Sequence, residues 1–76
     1  MPMKTYLTIT FTTEGGRPSD VTSLLQGIGF QPMTGNYDFV YDWRKKGVSA
    51  DEAISLADRV QATLKGMKVL FKIETV

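Results

Sequence analysis

The 76-residue sequence predicts a single domain of the α+β class, and three observations support this prediction. Three segments alternate apolar and polar residues with a period of two, which is typical of half-buried strands. Two other segments repeat apolar residues every three or four positions, which is typical of amphipathic helices. The joints between these segments are short and rich in glycine and proline, as expected for tight turns.

The first two elements are a strand over residues 5–13 and a helix that follows Pro18. The strand is predicted to have two different faces, one with Leu7, Ile9 and Phe11 and one with Tyr6, Thr8, Thr10 and Thr12. Ser19 or Asp20 is predicted to cap the helix, and Gly29 to end it. The apolar stripe of this helix comprises Val21, Leu24, Leu25 and Ile28.

The middle of the sequence predicts a β-hairpin. Residues 30–34 form a short strand whose Pro32 suits the edge of a sheet. Gly35 and Asn36 predict a two-residue turn. The strand over residues 37–43 is expected to have one face with Tyr37, Phe39, Tyr41 and Trp43 and one with Asp38, Val40 and Asp42.

The last two elements are a helix and a strand. Ser49 and Glu52 predict a capping box at the start of the helix, and Gly66 is expected to end it. The buried stripe is predicted as Ala53, Ile54, Ala57, Val60 and Leu64, with Leu56 at its margin. Residues 68–76 form the final strand, with Val69, Phe71 and Ile73 inward and Lys72 and Glu74 outward.

The order of elements is therefore β-α-β-β-α-β, the ferredoxin-like arrangement, in which two helices cover one face of a four-stranded antiparallel sheet. The other face is left uncovered. Because Asp38 and Asp42 are costly to bury, they are expected on the uncovered face. The alternating aromatic residues are then expected in the core, and these are Tyr37, Phe39, Tyr41 and Trp43.

The composition excludes several classes of function. The chain has no cysteine and no histidine, which excludes disulfides, thiol nucleophiles and histidine-based catalysis, and we expect neither a metal site nor a cofactor. No pair of nucleophile and base can be assembled, so we expect a non-enzymatic protein. The formal net charge of +1 is too small for nucleic-acid binding that is driven by positive charge alone. The apolar runs are too short to span a membrane or to form a secretory signal, and we expect a cytoplasmic location.

The hairpin over residues 33–40 (MTGNYDFV) resembles the G-x-Y-D hairpin in the effector-binding domain of the leucine-responsive regulatory protein family. The likeness extends over about residues 34–76. It implies a homo-oligomer built by packing sheet faces, with a small effector, often an amino acid, held between subunits near the hairpin. The positions that carry over as ligand-binding residues are Gly35, Tyr37 and Asp38. Apart from this resemblance, Arg17 at the start of the first helix is a candidate for holding a carboxylate.

Two alternatives remain open. Part of the chain resembles RNA-recognition-motif domains, which bind single-stranded nucleic acid through aromatic residues of the central strands. The residues for this role are Tyr6, Tyr37 and Phe39 together with Arg44, Lys45 and Lys46. Asp38 and Asp42 depart from that pattern, since carboxylates repel a phosphate chain. The other alternative is a subunit of a larger protein complex without any ligand.

Overall fold

A computed structural model describes residues 2–76 and contains the predicted order of elements. These are β1 (Lys4–Thr10), α1 (Pro18–Gly27), β2 (Gln31–Pro32), β3 (Phe39–Asp42), α2 (Ala50–Leu64) and β4 (Leu70–Thr75). The four strands form one sheet in the order β2-β3-β1-β4, with antiparallel pairing throughout. The protein therefore has an α+β fold, and its order of strands and helices is consistent with the ferredoxin-like arrangement.

The core lies between the two helices and one face of the sheet. Its buried apolar residues come from both helices, from β1 and β3, and from the residue before β2: Leu7, Ile9, Val21, Leu25, Phe30, Phe39, Leu56, Val60 and Leu64. Thr5 is also fully buried, and its hydroxyl is satisfied by hydrogen bonds with Thr75 Oγ1 at 2.8 Å and Trp43 Nε1 at 2.7 Å. The opposite side of the sheet, here called the outer face, carries Lys4, Tyr6, Thr8, Thr10, Val40, Asp42, Leu70, Lys72 and Glu74.

Helix α1 begins one residue earlier than its predicted cap. Arg17 occupies the N-cap position without a side-chain hydrogen bond, and Pro18 is the first helical residue. The prediction that Ser19 or Asp20 caps the helix is therefore wrong. Proline suits this position because it lacks the N–H group that the first turn leaves unpaired, and its φ angle already fits a helix.

The end of α1 confirms the predicted role of Gly29, which has a φ of +104°. The Phe30 N–H donates to the Leu25 carbonyl, and the Gly29 N–H donates to the Gln26 carbonyl. This pair of bonds is a Schellman motif, which requires a left-handed residue after the helix. The motif turns the chain sharply, so that Phe30 enters the core immediately before β2.

Helix α2 confirms the capping box between Ser49 and Glu52. Its buried stripe differs from the prediction, because Leu56 is buried whereas Ile54 is 59% exposed. The reason is the helical turn of about 100° per residue. Leu56 lies four positions before the buried Val60 and shares its face, but Ile54 lies six positions before it and faces away.

The hairpin between β2 and β3 is shorter than predicted. Gln31 pairs with Val40 and Pro32 pairs with Phe39, and the Met33 N–H donates to the Asp38 carbonyl. This is the register that a turn at residues 35–36 requires, but the regular ladder stops before residue 34. Residues 34–36 form an exposed loop, and Tyr37 after it is half-buried. Gly35 in this loop has a φ of +110°.

Candidate functional site

Two stacked tyrosines lie on the outer face of the sheet. The ring centroids of Tyr6 and Tyr37 are 4.7 Å apart, and their planes are inclined by 27°. The hydroxyl of Tyr37 donates a hydrogen bond of 2.5 Å to Oε2 of Glu74. Glu74 lies on β4 directly opposite Tyr6 on β1. We call Tyr6, Tyr37 and Glu74 the tyrosine patch.

The carboxylate of Glu74 sets the electrostatics of the tyrosine patch. Its hydrogen bond with Tyr37, and then its negative charge, raise the pKa of the Tyr37 phenol above the ordinary value. Tyr37 is therefore held as a protonated donor. The electron-rich faces of two tyrosines beside a carboxylate form an environment that favours a cation over an anion.

Tyr37 reaches this face because β3 begins later than predicted. In a continued strand, Ile9 on β1 would donate its N–H to the Tyr37 carbonyl. Instead, Ile9 donates to Oδ2 of Asp38 at 2.8 Å, and the Asp38 N–H donates to the Leu7 carbonyl at 2.9 Å. The side chain of Asp38 thus replaces a backbone acceptor and lets the preceding residue leave the sheet. The expectation that Tyr37 joins the core is wrong for this reason.

Asp38 therefore has a structural role that can be tested. The Asp38→Ala variant is expected to lose about 1–2 kcal/mol, because the part-buried Ile9 N–H loses its acceptor. The Asp38→Asn variant is expected to retain most of the stability, since an amide oxygen still accepts a hydrogen bond. Chemical denaturation of both variants, with Asp58→Ala on the exposed side of α2 as a control, measures these differences. Equal losses in the alanine and asparagine variants of Asp38 contradict this role.

Gly35 and Arg17 lie in two loops at the same end of the sheet, where β1 ends and β3 begins. A side chain at Gly35 would meet no atom within 4 Å, so the glycine is required by its backbone conformation. Arg17 is exposed, and the preceding Gly16 anchors its loop by donating a 2.6 Å hydrogen bond to the Met67 carbonyl. The predicted carboxylate-holding role of Arg17 stays a prediction.

The residues proposed for nucleic-acid binding are divided between different environments. Tyr6 and Tyr37 lie on the outer face, but Phe39 is only 4% exposed in the core and cannot stack on a base. The alternation of β3 explains this correction, because Phe39 is the residue opposite Leu7 on the inner face. Lys45 is bound to Glu52 of α2, with its ammonium 5.9 Å from the Trp43 ring centroid. Of the three basic residues, Lys45 is therefore held at α2, whereas Arg44 and Lys46 are exposed.

Two open grooves lie beside α2, away from the outer face. One groove of ≈770 Å³ runs between the end of α2 and β4, and its lining includes Ala62, Lys65 and Phe71. The other, of ≈280 Å³, lies between the start of α2 and β3, above Tyr41 and Trp43. Within residues 2–76, no group of three or more acidic side chains lies close enough to hold a metal ion.

Glu74 belongs to the tyrosine patch but was not predicted as a site residue. The sequence predicted only that its side chain points outward from the last strand. The alternation in β4 predicted that it lies on the uncovered face, with Tyr6; the structure shows that the two residues are directly opposite each other. Its partnership with Tyr37 needed the late start of β3, which the alternation did not indicate.

No family model, curated protein or solved structure matches this chain in the comparisons. The helices described within residues 2–76 lack the combination of length and apolar character needed to cross a bilayer.

Proposed function

We propose that this protein is a small non-enzymatic binding module that acts in the cytoplasm as a homo-oligomer. Its ligand is a small molecule with a primary ammonium group, such as an amino acid, bound at the tyrosine patch. The observation that supports this proposal is the stack of Tyr6 on Tyr37, with the Tyr37 hydroxyl bound to Glu74 on an uncovered sheet face.

An ammonium ion fits the patch for two physical reasons. Contact with an aromatic face contributes about 0.5–2 kcal/mol, depending on how far water is excluded. A carboxylate can accept several hydrogen bonds, so Glu74 can hold the Tyr37 hydroxyl and an ammonium together. The patch lies on an open surface, so we expect affinities near the millimolar range, about −4 kcal/mol.

The resemblance to the leucine-responsive regulatory family also favours an amino-acid effector near the hairpin. The residues that bind the ligand then differ from those that the resemblance implies. Glu74 receives the ammonium group, because the Asp38 carboxylate is already an acceptor for the backbone of Ile9. Gly35 and Asp38 hold the loop that presents Tyr37. Arg17 lies beyond the end of β1, whereas Tyr6 and Glu74 pair toward its start, so Arg17 is given no contact with this ligand.

The proposal is tested by titrating ¹⁵N-labelled protein with amino acids and simple alkylamines. Amide shifts are expected at Tyr6, Tyr37 and Glu74, and Glu74→Gln is expected to weaken binding at least about tenfold, or ~1.4 kcal/mol. Asp42→Asn is the matched control, since Asp42 is an exposed acid on the same face but opposite Lys4. Absence of shifts at the patch with about 10 mM ligand, or equal weakening by both substitutions, overturns the proposal.

Single-stranded nucleic acid is the second candidate, because two aromatic rings lie on the outer face. Stacking of a base on an aromatic ring contributes about 1–3 kcal/mol. Glu74 and Asp42 on the same face oppose a phosphate chain, so this candidate ranks below the ammonium ligand. Fluorescence anisotropy with labelled mixed-sequence oligonucleotides at low salt separates the two. Binding that is lost in Tyr37→Ala and falls steeply with salt favours nucleic acid.

A further inference from the structure

Strand β4 forms a free edge of the sheet. Lys4 and Val76 exchange both backbone hydrogen bonds, so alternate residues of β4 point their backbone groups toward β1. The N–H and carbonyl groups of Phe71, Ile73 and Thr75 then point away from the sheet. The opposite edge is different, because β2 has two residues and one of them is Pro32. Natural proteins protect edges with short strands, proline and charged side chains. Strand β4 has six residues and no proline, and its two charged residues, Lys72 and Glu74, have opposite signs.

The side chains along β4 are unusually apolar for an edge. Leu70 is 70% exposed and Val76 is 65% exposed, more than any other large apolar side chains among residues 2–76. Between them on the outer face lie Lys72 and Glu74, which have opposite charges. This arrangement of apolar and charged residues is suited to pairing with a second strand.

We infer that β4 pairs with β4 of a second copy in an antiparallel manner, about a two-fold axis at Ile73. The two four-stranded sheets then form one continuous sheet across the dimer. This inference depends on the homo-oligomer that is part of the proposed function, and it names the surface that forms it. It does not depend on the ligand.

The sequence of β4 is complementary to itself in this register. With Ile73 opposite Ile73, Lys72 lies opposite Glu74 and Leu70 lies opposite Val76, and the two-fold axis repeats each pair. Phe71 lies opposite Thr75. These two residues and Ile73 are the ones whose backbone groups point away from the sheet, so they can form the hydrogen bonds between the two copies. Opposite charges and apolar pairs across neighbouring strands stabilise pairing by about 0.2–1 kcal/mol each. Registers centred on Lys72 or Glu74 place like charges opposite each other and are disfavoured.

Helix α2 leaves this edge accessible. The groove of ≈770 Å³ between α2 and the start of β4 includes Ala62, Val69 and Phe71 in its lining. Asp58 and Lys65 also line it from α2, so the flank of the edge carries both charges. No element within residues 2–76 pairs with this edge, so a second β4 can approach it.

A charge exchange tests the inference in solution. Sedimentation equilibrium is expected to show a dimer for the native protein. Lys72→Glu is expected to weaken the dimer at least about tenfold, since it places acids opposite each other twice. The double variant Lys72→Glu with Glu74→Lys restores opposite charges and is expected to recover the dimer. Lys46→Glu, in an exposed loop, is the matched control for the change in net charge.

The outcomes separate this inference from the proposed function. A native protein that is monomeric at all concentrations overturns both the edge pairing and the homo-oligomer, but not ammonium binding. A dimer that Lys72→Glu leaves unchanged, or that the double variant fails to recover, overturns the edge pairing alone. If amines cause no amide shifts at the tyrosine patch while the protein is a dimer, the proposed ammonium ligand is wrong and the edge pairing stands.

Amide hydrogen exchange of the native protein provides a second readout that needs no substitution. In a monomer, the amides of Lys72 and Glu74 are protected by β1, whereas those of Phe71, Ile73 and Thr75 exchange freely. In the inferred dimer, both sets are protected, and the second set loses protection on dilution. Fast exchange of the Ile73 amide in a sample that is dimeric by mass contradicts the inference.

Discussion

The Leu25→Ala variant is expected to lose about 3–4 kcal/mol of stability, a large share of the total for a domain of this size. Leu25 is fully buried between α1 and the sheet, and its carbonyl accepts the Phe30 N–H that ends the helix. Truncation leaves a cavity beside Phe30, since the surrounding side chains can relax only in part. Urea denaturation followed by circular dichroism measures the loss.

The neighbouring Leu24 is the matched control for this substitution. It has the same side chain in the same helix, but it is 42% exposed. Leu24→Ala is expected to cost less than about 1 kcal/mol, because alanine favours the helix and little apolar surface is lost. Similar losses in the two variants contradict the placement of the α1 stripe against the sheet.

The local signals of the helices explain why most of the fold was predictable. The Ser49–Glu52 capping box and Gly29 each satisfy backbone groups that a helix end leaves unpaired, and these requirements are readable from residue type and spacing. Leu24 and Ile54 were harder to place. Both lie within the predicted apolar stripes, but each helix buries only the residues that point directly at the core, and these two lie at the edge of the stripe.

The order of the strands along the chain was predictable, but the residues at which each strand begins and ends were not. Alternation assigns each side chain to a face only while the ladder continues, and Tyr37 lies just before β3 begins. The Asp38 carboxylate, by accepting from Ile9, releases the chain at that point. A side chain that substitutes for a backbone acceptor has no periodic signature. The tyrosine patch could therefore not be recognised from the alternation of residues 37–43.

The second large effect is expected at the loop that precedes α1. Gly15→Ala is expected to cost about 2–3 kcal/mol, because the added methyl group would lie 2.5 Å from the Met67 carbonyl oxygen and 2.7 Å from that of Lys68. Backbone atoms in the connection between α2 and β4 cannot move aside without disturbing the start of β4. Thermal and urea denaturation measure the loss.

Gly16→Ala is the matched comparison, since the same atom is added one residue later. Its methyl group would approach the end of the flexible Met67 side chain, which can adopt another rotamer. We expect a loss below about 1 kcal/mol. Equal losses at both positions contradict backbone crowding as the cause. A selective loss at Gly15 shows that this loop, and Arg17 after it, is fixed by the connection that leads into β4. Because that connection leads into β4, Gly15→Ala should also weaken the dimer inferred at this edge.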